Sequence, residues 1–160
     1  MILRPHLFAN SLADVDPLSL AGRGIRVVGF DKDNCLTLPH RQEVYSGNAE
    51  AVSRYKRTFG LENLFIFSNS SGSRGHPNPE TIDQIRVIDH GTKKPFGGKI
   101  LRSIFKDVKP NQIAFIGDRI FTDVAFAKIN GFYTILVNPI DASGESPSVY
   151  VIRRIEKLFI

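Results

Sequence analysis

Apolar runs and helically spaced apolar positions alternate along this chain. Ile25 to Phe30 reads as a buried strand, with Leu64–Phe67, Arg86–Ile88, Ile113–Ile116 and Tyr133–Val137 as further strands. Helical patterns separate them. Gly47–Phe59 carries Ala51, Val52 and Tyr55 at helical spacing, and Gly98–Phe105 carries Ile100, Leu101, Ile104 and Phe105 on one face. Thr122–Ile129 and the tail Val149–Phe159 read as two more helices. Strands alternating with helices predict an α/β fold: a Rossmann-like, mostly parallel sheet with helices on both faces. Residues 1–160 read as a single domain, with 1–24 as an N-terminal lead-in segment. The Ser-, Gly-, Asn- and Pro-rich stretch Ser68–Pro79 reads as a long loop, and no internal repeat is visible.

Composition narrows the class. Hydrophobic residues make up 42% and charged residues 23%, a globular balance. No apolar run approaches the roughly 20 residues of a membrane-spanning helix, and the first residues resemble neither a secretory signal nor an Arg-rich transit peptide. A single cysteine, Cys35, excludes an internal disulfide and suits a reducing compartment. The net charge of +5 favours anionic partners. Without a basic run interleaved with aromatics, nucleic acid is not expected among them.

In parallel sheets, ligands sit beyond the carboxyl ends of the strands. Three of the expected strands end in chemically useful groups: Asp31 and Asp33 after the first, Ser68 and Asn69 after the second, Gly117 and Asp118 after the fourth. Residues two apart in an extended segment point the same way, so Asp31 and Asp33 can share a site. Paired carboxylates suit a division between a nucleophile and an acid/base; the same Asp-x-Asp also suits a solvated turn. Asp118 adds a third carboxylate to that edge, and oxygen ligands of this kind suit Mg²⁺. Thr122 and Asp123 open a helix, where capping alone would explain them. Lys94, held before Pro95, can neutralise a phosphate and Asp31, or be a solvated loop lysine. Ser68 can donate to a phosphoryl oxygen or form a turn.

Taken together, these motifs in this order resemble the haloacid dehalogenase phosphatase superfamily, over about Ile25 to Val137. The resemblance implies that Asp31 is the nucleophile and Asp33 the acid/base. It implies that Ser68 and Asn69 bind phosphate, and that Lys94 steadies both nucleophile and phosphoryl group. Mg²⁺ would be held by Asp31, Asp118 and Asp123, with Asp33 giving its backbone carbonyl. Where the superfamily often has Gly-Thr after the second Asp, this chain has Asn34-Cys35. No phosphate-cradling loop ending in Arg follows Cys35, so it reads as a small packed residue rather than a nucleophile.

A narrower resemblance rests on Phe30-Asp31-Lys32-Asp33-Asn34-Cys35, Pro39-His40, Ser68-Asn69, His90 to Pro95 and Gly117 to Asp123. Together they are similar to the mitochondrial phosphatidylglycerophosphatase family. That similarity implies hydrolysis of phosphatidylglycerophosphate to phosphatidylglycerol in cardiolipin synthesis. It also implies a phospholipid substrate and a peripheral position on the matrix side of the mitochondrial inner membrane. Leu36–Glu62 and Ser70–Thr92 are too short to build a cap domain, and an uncapped site suits a substrate that cannot be engulfed. Apolar positions near the N-terminus (Ile2, Leu3, Leu7, Phe8, Leu12) and in the tail beside Arg153, Arg154 and Lys157 suit either an anionic membrane or the covering of the sheet. Two other functions compete: a phosphatase of soluble or protein phosphomonoesters, and a non-catalytic phosphate-binding scaffold. The intact carboxylates and lysine speak against the scaffold.

Overall fold

The computed structural model describes residues 3–69, 79–89 and 91–143. Among these residues, seven strands form one sheet: β1 (Leu7–Ala9), β2 (Val27–Phe30), β3 (Leu64–Ile66), β4 (Thr81–Ile82), β5 (Ile85–Val87), β6 (Ile113–Gly117) and β7 (Tyr133–Val137). Their spatial order is β1-β7-β6-β2-β3-β5-β4. Every pairing is parallel except β4 with β5.

The apolar runs form strands because both faces of the sheet are covered. Val28, Phe30, Leu64 and Ile66 face one layer with α1 (Pro17–Gly22) and α2 (Ala49–Phe59), which bring Leu20, Val52, Tyr55 and Phe59. Val27, Phe65, Phe67 and Phe115 face the other, with α3 (Lys99–Ile104) and α4 (Ala125–Ile129), joined by Leu101, Phe105, Phe126 and Ala127. Each fully buried large side chain contributes on the order of 2 kcal/mol from removed apolar surface. Gly29 is the exception in β2: a Cβ there would lie 2.2 Å from the Phe65 ring and 2.8 Å from Phe115. The two rings fill the space that a side chain would need.

Helix ends follow local chemistry. Asp16 caps α1 by accepting from the amides of Leu18 and Ser19, and Pro17 occupies the first turn. Gly60, at φ 77°, ends α2. In α3 only Leu101 and Phe105 of the expected apolar face reach the core; Ile100 is half-buried and Ile104 is exposed. The helix expected over Thr122–Ile129 begins with a π-helical turn, Ile120–Val124, before α4.

The lead-in segment joins the sheet. Leu7 to Ala9 pair with Ile135 to Val137 in β1, and Leu12 is buried in the core. Packing thus accounts for Leu7 and Leu12, whereas Phe8 stays exposed. The third expected strand is the second arm of a hairpin. Its two turn residues, Asp83 and Gln84, both have positive φ (48° and 67°), as tight two-residue turns require. The expected tail helix Val149–Phe159 lies outside the described residues, as does most of the loop expected over Ser68–Pro79.

Strand order locates the site. From β2 the chain moves to β3 and β5 on one side, then crosses to β6 on the other. The order therefore reverses between β2 and β6, and crevices for ligands open at such points. Phe30 and Ile116 are register partners there, and the Asp31 amide extends the ladder to the Ile116 carbonyl at 2.8 Å.

Candidate active site

The first carboxylate loop begins where β2 ends, and its backbone is closely tied. The Lys32 carbonyl accepts from the amides of Leu36 (3.0 Å) and Thr37 (2.9 Å), and buried Asn48 donates to the carbonyls of Cys35 (2.9 Å) and Leu36 (3.3 Å). Asn34 has φ 63°, in the left-handed region. That region favours glycine and tolerates asparagine. This explains why Asn34 serves where the superfamily often has glycine. The Asn34 side chain also accepts from the Asp141 amide at 3.0 Å, tying the loop to the segment after β7.

Asp31, Asp118 and Asp123 are buried, and their oxygens lie within 4.8 Å of one another. The Lys94 ammonium donates to Oδ1 of Asp31 and to Oδ1 of Asp123, each at 2.5 Å. Lys94 is itself buried, with its ammonium 5.1 Å from the centre of the Phe115 ring. Asn69 grips the Lys94 backbone at both ends: its Oδ1 accepts the Lys94 amide at 2.6 Å and its Nδ2 donates to the Lys94 carbonyl at 3.4 Å. The Lys94–Pro95 peptide bond is cis.

Asp123 is held by the π-helical turn. The Arg119 carbonyl accepts the amides of both Asp123 (3.0 Å) and Val124 (3.2 Å), and the Arg119 amide donates to Asp123 Oδ2 at 3.0 Å. Such turns recur at functional sites because they re-aim one side chain. Gly117 leaves room for it: a Cβ at that position would lie 2.4 Å from the Asp123 side chain. Asp123 is therefore a member of the buried cluster as well as a first-turn acid.

The carboxylate of Asp33 stands apart from that cluster. Its Oδ1 accepts from the Lys32 ammonium at 2.7 Å and from the His40 amide at 2.9 Å, and its side chain is partly exposed. Ser68 is buried directly beyond β3. The strand-end residues expected from the sequence thus meet at one edge. The Lys32–Asp33 pair and the Asn48 brace were missed. Asn34 in a glycine position was a readable signal for the loop's geometry, whereas nothing local marks Asn48.

The electrostatics favour a cation. Among the described residues, Asp31 and Asp123 share the Lys94 ammonium, with Asp118 beside them. Burial pushes the Asp31 carboxyl up to about 8; Lys94 opposes this, while Asp123 and Asp118 add to it. Burial works against the Lys94 ammonium, yet Asp123 and Asp31 together raise its pKa above the ordinary lysine value, so it stays charged. A buried cluster of hard oxygen donors fits a divalent metal ion.

Cys35 lies among these charges but is buried, with its thiol 3.6 Å from the Ile116 carbonyl. Burial first, then the neighbouring carboxylates, drives its pKa well up. A thiol held protonated is a poor nucleophile. Cys35→Ser should therefore keep turnover within about threefold of wild type. Loss of activity in a folded Cys35→Ser protein would contradict the packing role.

Residues 1–141 match the model of the mitochondrial PGP phosphatase family. The chain belongs to this family. It is 34% identical to the chloroplastic phosphatidylglycerophosphate phosphatase 1 of Chlamydomonas reinhardtii, over 98% of this chain and 60% of that protein. It is 31% identical to the chloroplastic/mitochondrial phosphatidylglycerophosphate phosphatase 1 of Arabidopsis thaliana, over 95% of this chain and 45% of that protein. The mitochondrial phosphatidylglycerophosphatase of Saccharomyces cerevisiae is 28% identical over 85% of this chain and 78% of its own length. The chain thus spans about half the length of the algal and plant relatives. No solved structure matches it.

Proposed function

We propose that this chain is a Mg²⁺-dependent phosphomonoesterase that removes the terminal phosphate of phosphatidylglycerophosphate through an aspartyl-phosphate on Asp31. The supporting observation is the buried Asp31–Lys94–Asp123 bridge beside Asp118, at the switch point of a sheet in a chain of this family.

Asp31 is the only member of the cluster that directly follows β2, and Asp33 lies two residues on. In the first step an Asp31 oxygen attacks phosphorus, the ester P–O bond breaks, and Asp33 gives its proton to the departing alkoxide. In the second, Asp33 takes a proton from water as the water oxygen attacks the same phosphorus. The bond to Asp31 breaks, and inorganic phosphate leaves with the Asp31 carboxylate restored. Lys94 neutralises charge that would otherwise repel an anionic phosphate, and Ser68 lies at the adjacent strand end to donate to an equatorial oxygen. Asn69 acts by fixing the backbone of Lys94. Asp31, Asp118 and Asp123, with the Asp33 backbone carbonyl, would hold Mg²⁺. When bound, the ion supplies charge neutralisation for nucleophile and phosphate alike.

Two measurements test this. Excess EDTA should abolish turnover. Because the ion binds the folded cluster, saturating Mg²⁺ should raise the melting temperature of the EDTA-treated protein by about 5 °C or more. Activity that survives EDTA would remove the metal from the reaction, and an unmoved melting temperature would remove it from the cluster. Substrate class is tested by phosphate release in parallel. Phosphatidylglycerophosphate should show at least about tenfold higher kcat/KM than glycerol 3-phosphate, since an open site gains little from a small headgroup alone. Equal efficiency would favour a phosphatase of soluble phosphomonoesters. A peripheral position on the matrix side of the mitochondrial inner membrane accords with this substrate.

A further inference from the structure

The segment that carries Lys94 has a second, outward face. The Phe96 amide donates to the Lys93 carbonyl at 3.0 Å and closes a tight turn. Within that turn Lys94 points into the protein, whereas Phe96 is 64% exposed. Behind the turn lies a groove of about 420 Å³ between residues 91–100 and the end of α4. Ile129, 50% exposed, stands on its far wall, so two large exposed apolar side chains face one groove. Lys99 and Arg102 line the same groove, no acidic residue does, and neither cation forms an ion pair among the described residues.

We propose that this groove and the Lys93–Phe96 turn dock on the surface of an anionic phospholipid bilayer. Exposed apolar side chains set among uncompensated cations are what a surface needs to enter the headgroup layer and hold anionic lipid. Leu18, 70% exposed, stands beside Arg54 and Arg57, but its groove also holds Asp16 and presents no second exposed large apolar side chain. A second copy of the chain is a poor occupant, because two such patches facing each other would oppose Lys99 and Arg102 with their own copies. Docking here sets the turn that holds Lys94 directly at the lipid surface. The inference rests on the phospholipid reading of the substrate and names the face that meets it.

The test uses the full chain and sedimentation with vesicles, either of phosphatidylcholine alone or of phosphatidylcholine mixed with phosphatidylglycerol. Wild type should bind the mixed vesicles and not the neutral ones. Phe96→Ser/Ile129→Ser and Lys99→Glu/Arg102→Glu should each weaken that binding about tenfold or more, with unchanged melting temperatures. Equal wild-type binding to both vesicle types, or wild-type affinity in both well-folded double variants, would overturn the proposal. So would patch variants that change self-association in sedimentation velocity but not vesicle binding. Selective, patch-dependent binding by a wild-type protein that hydrolyses no phosphatidylglycerophosphate would support the docking face and refute the proposed activity.

Discussion

Asp31→Asn should turn over phosphatidylglycerophosphate at least about a thousandfold more slowly than wild type, because an amide oxygen cannot form the acyl-phosphate. The same variant should be no less stable. The introduced amide retains an oxygen that can accept from Lys94, and Lys94 keeps its partner Asp123. In metal-free protein the sign can be worked out further. The Asp31 carboxyl is pushed up to about 8, first by burial, from an ordinary 3.8. Between those values the folded state holds a proton that the unfolded chain has lost. Stability from this group is therefore complete below about pH 4 and declines as pH rises towards 8. Removing the carboxylate removes that decline. In EDTA, Asp31→Asn should match or exceed the wild-type melting temperature at pH 8, with the difference shrinking towards pH 5. Turnover within tenfold of wild type would end the nucleophile assignment. A clearly lower melting temperature at pH 8 would show that the cluster is not overcharged.

Lys94→Met should also be inactive, with the opposite effect on stability. Lys94 is the one cation bonded to the cluster among the described residues. Its loss leaves Asp31, Asp118 and Asp123 buried without that counter-charge. Breaking a buried pair by removing one partner costs about 3–5 kcal/mol, or roughly 10 °C in a chain of this size. Acidic buffer, which protonates the carboxylates, should recover part of the loss, and so should Mg²⁺. Phosphate release should fall by at least about a hundredfold even in Mg²⁺, since the phosphoryl oxygens lose a fixed positive charge. Thermal unfolding at two pH values, with and without Mg²⁺, checks this. A Lys94→Met protein as stable as wild type in EDTA would mean that the carboxylates share protons rather than depend on the lysine.

The contrast between these variants reflects what is local and what is not. The apolar runs of β2, β3 and β6 announced themselves because strands buried on both faces must be apolar throughout. Once those strands alternate with helices, a parallel sheet follows, and strand-end Asp31, Ser68 and Asp118 fall on one edge. The Asp16–Pro17 cap was equally readable as a helix start, but a six-residue helix carries too few turns for its apolar spacing to stand out. Leu7 to Ala9 are too few to show a period, and they form a strand only because β7 offers an unpaired edge. The carboxylate of Asp123 illustrates the limit. Its place at a helix start was visible, but its role depends on a π-helical turn, on the absent side chain of Gly117 and on a lysine 29 residues away. Sequence by itself determined the strand order's raw material, the residues offered to the site and the excess of basic charge. Tertiary structure alone decided which of those residues share a low-dielectric pocket, which cation compensates them and which apolar side chains remain outside, because burial and pair distances are properties of chain segments that meet only after folding.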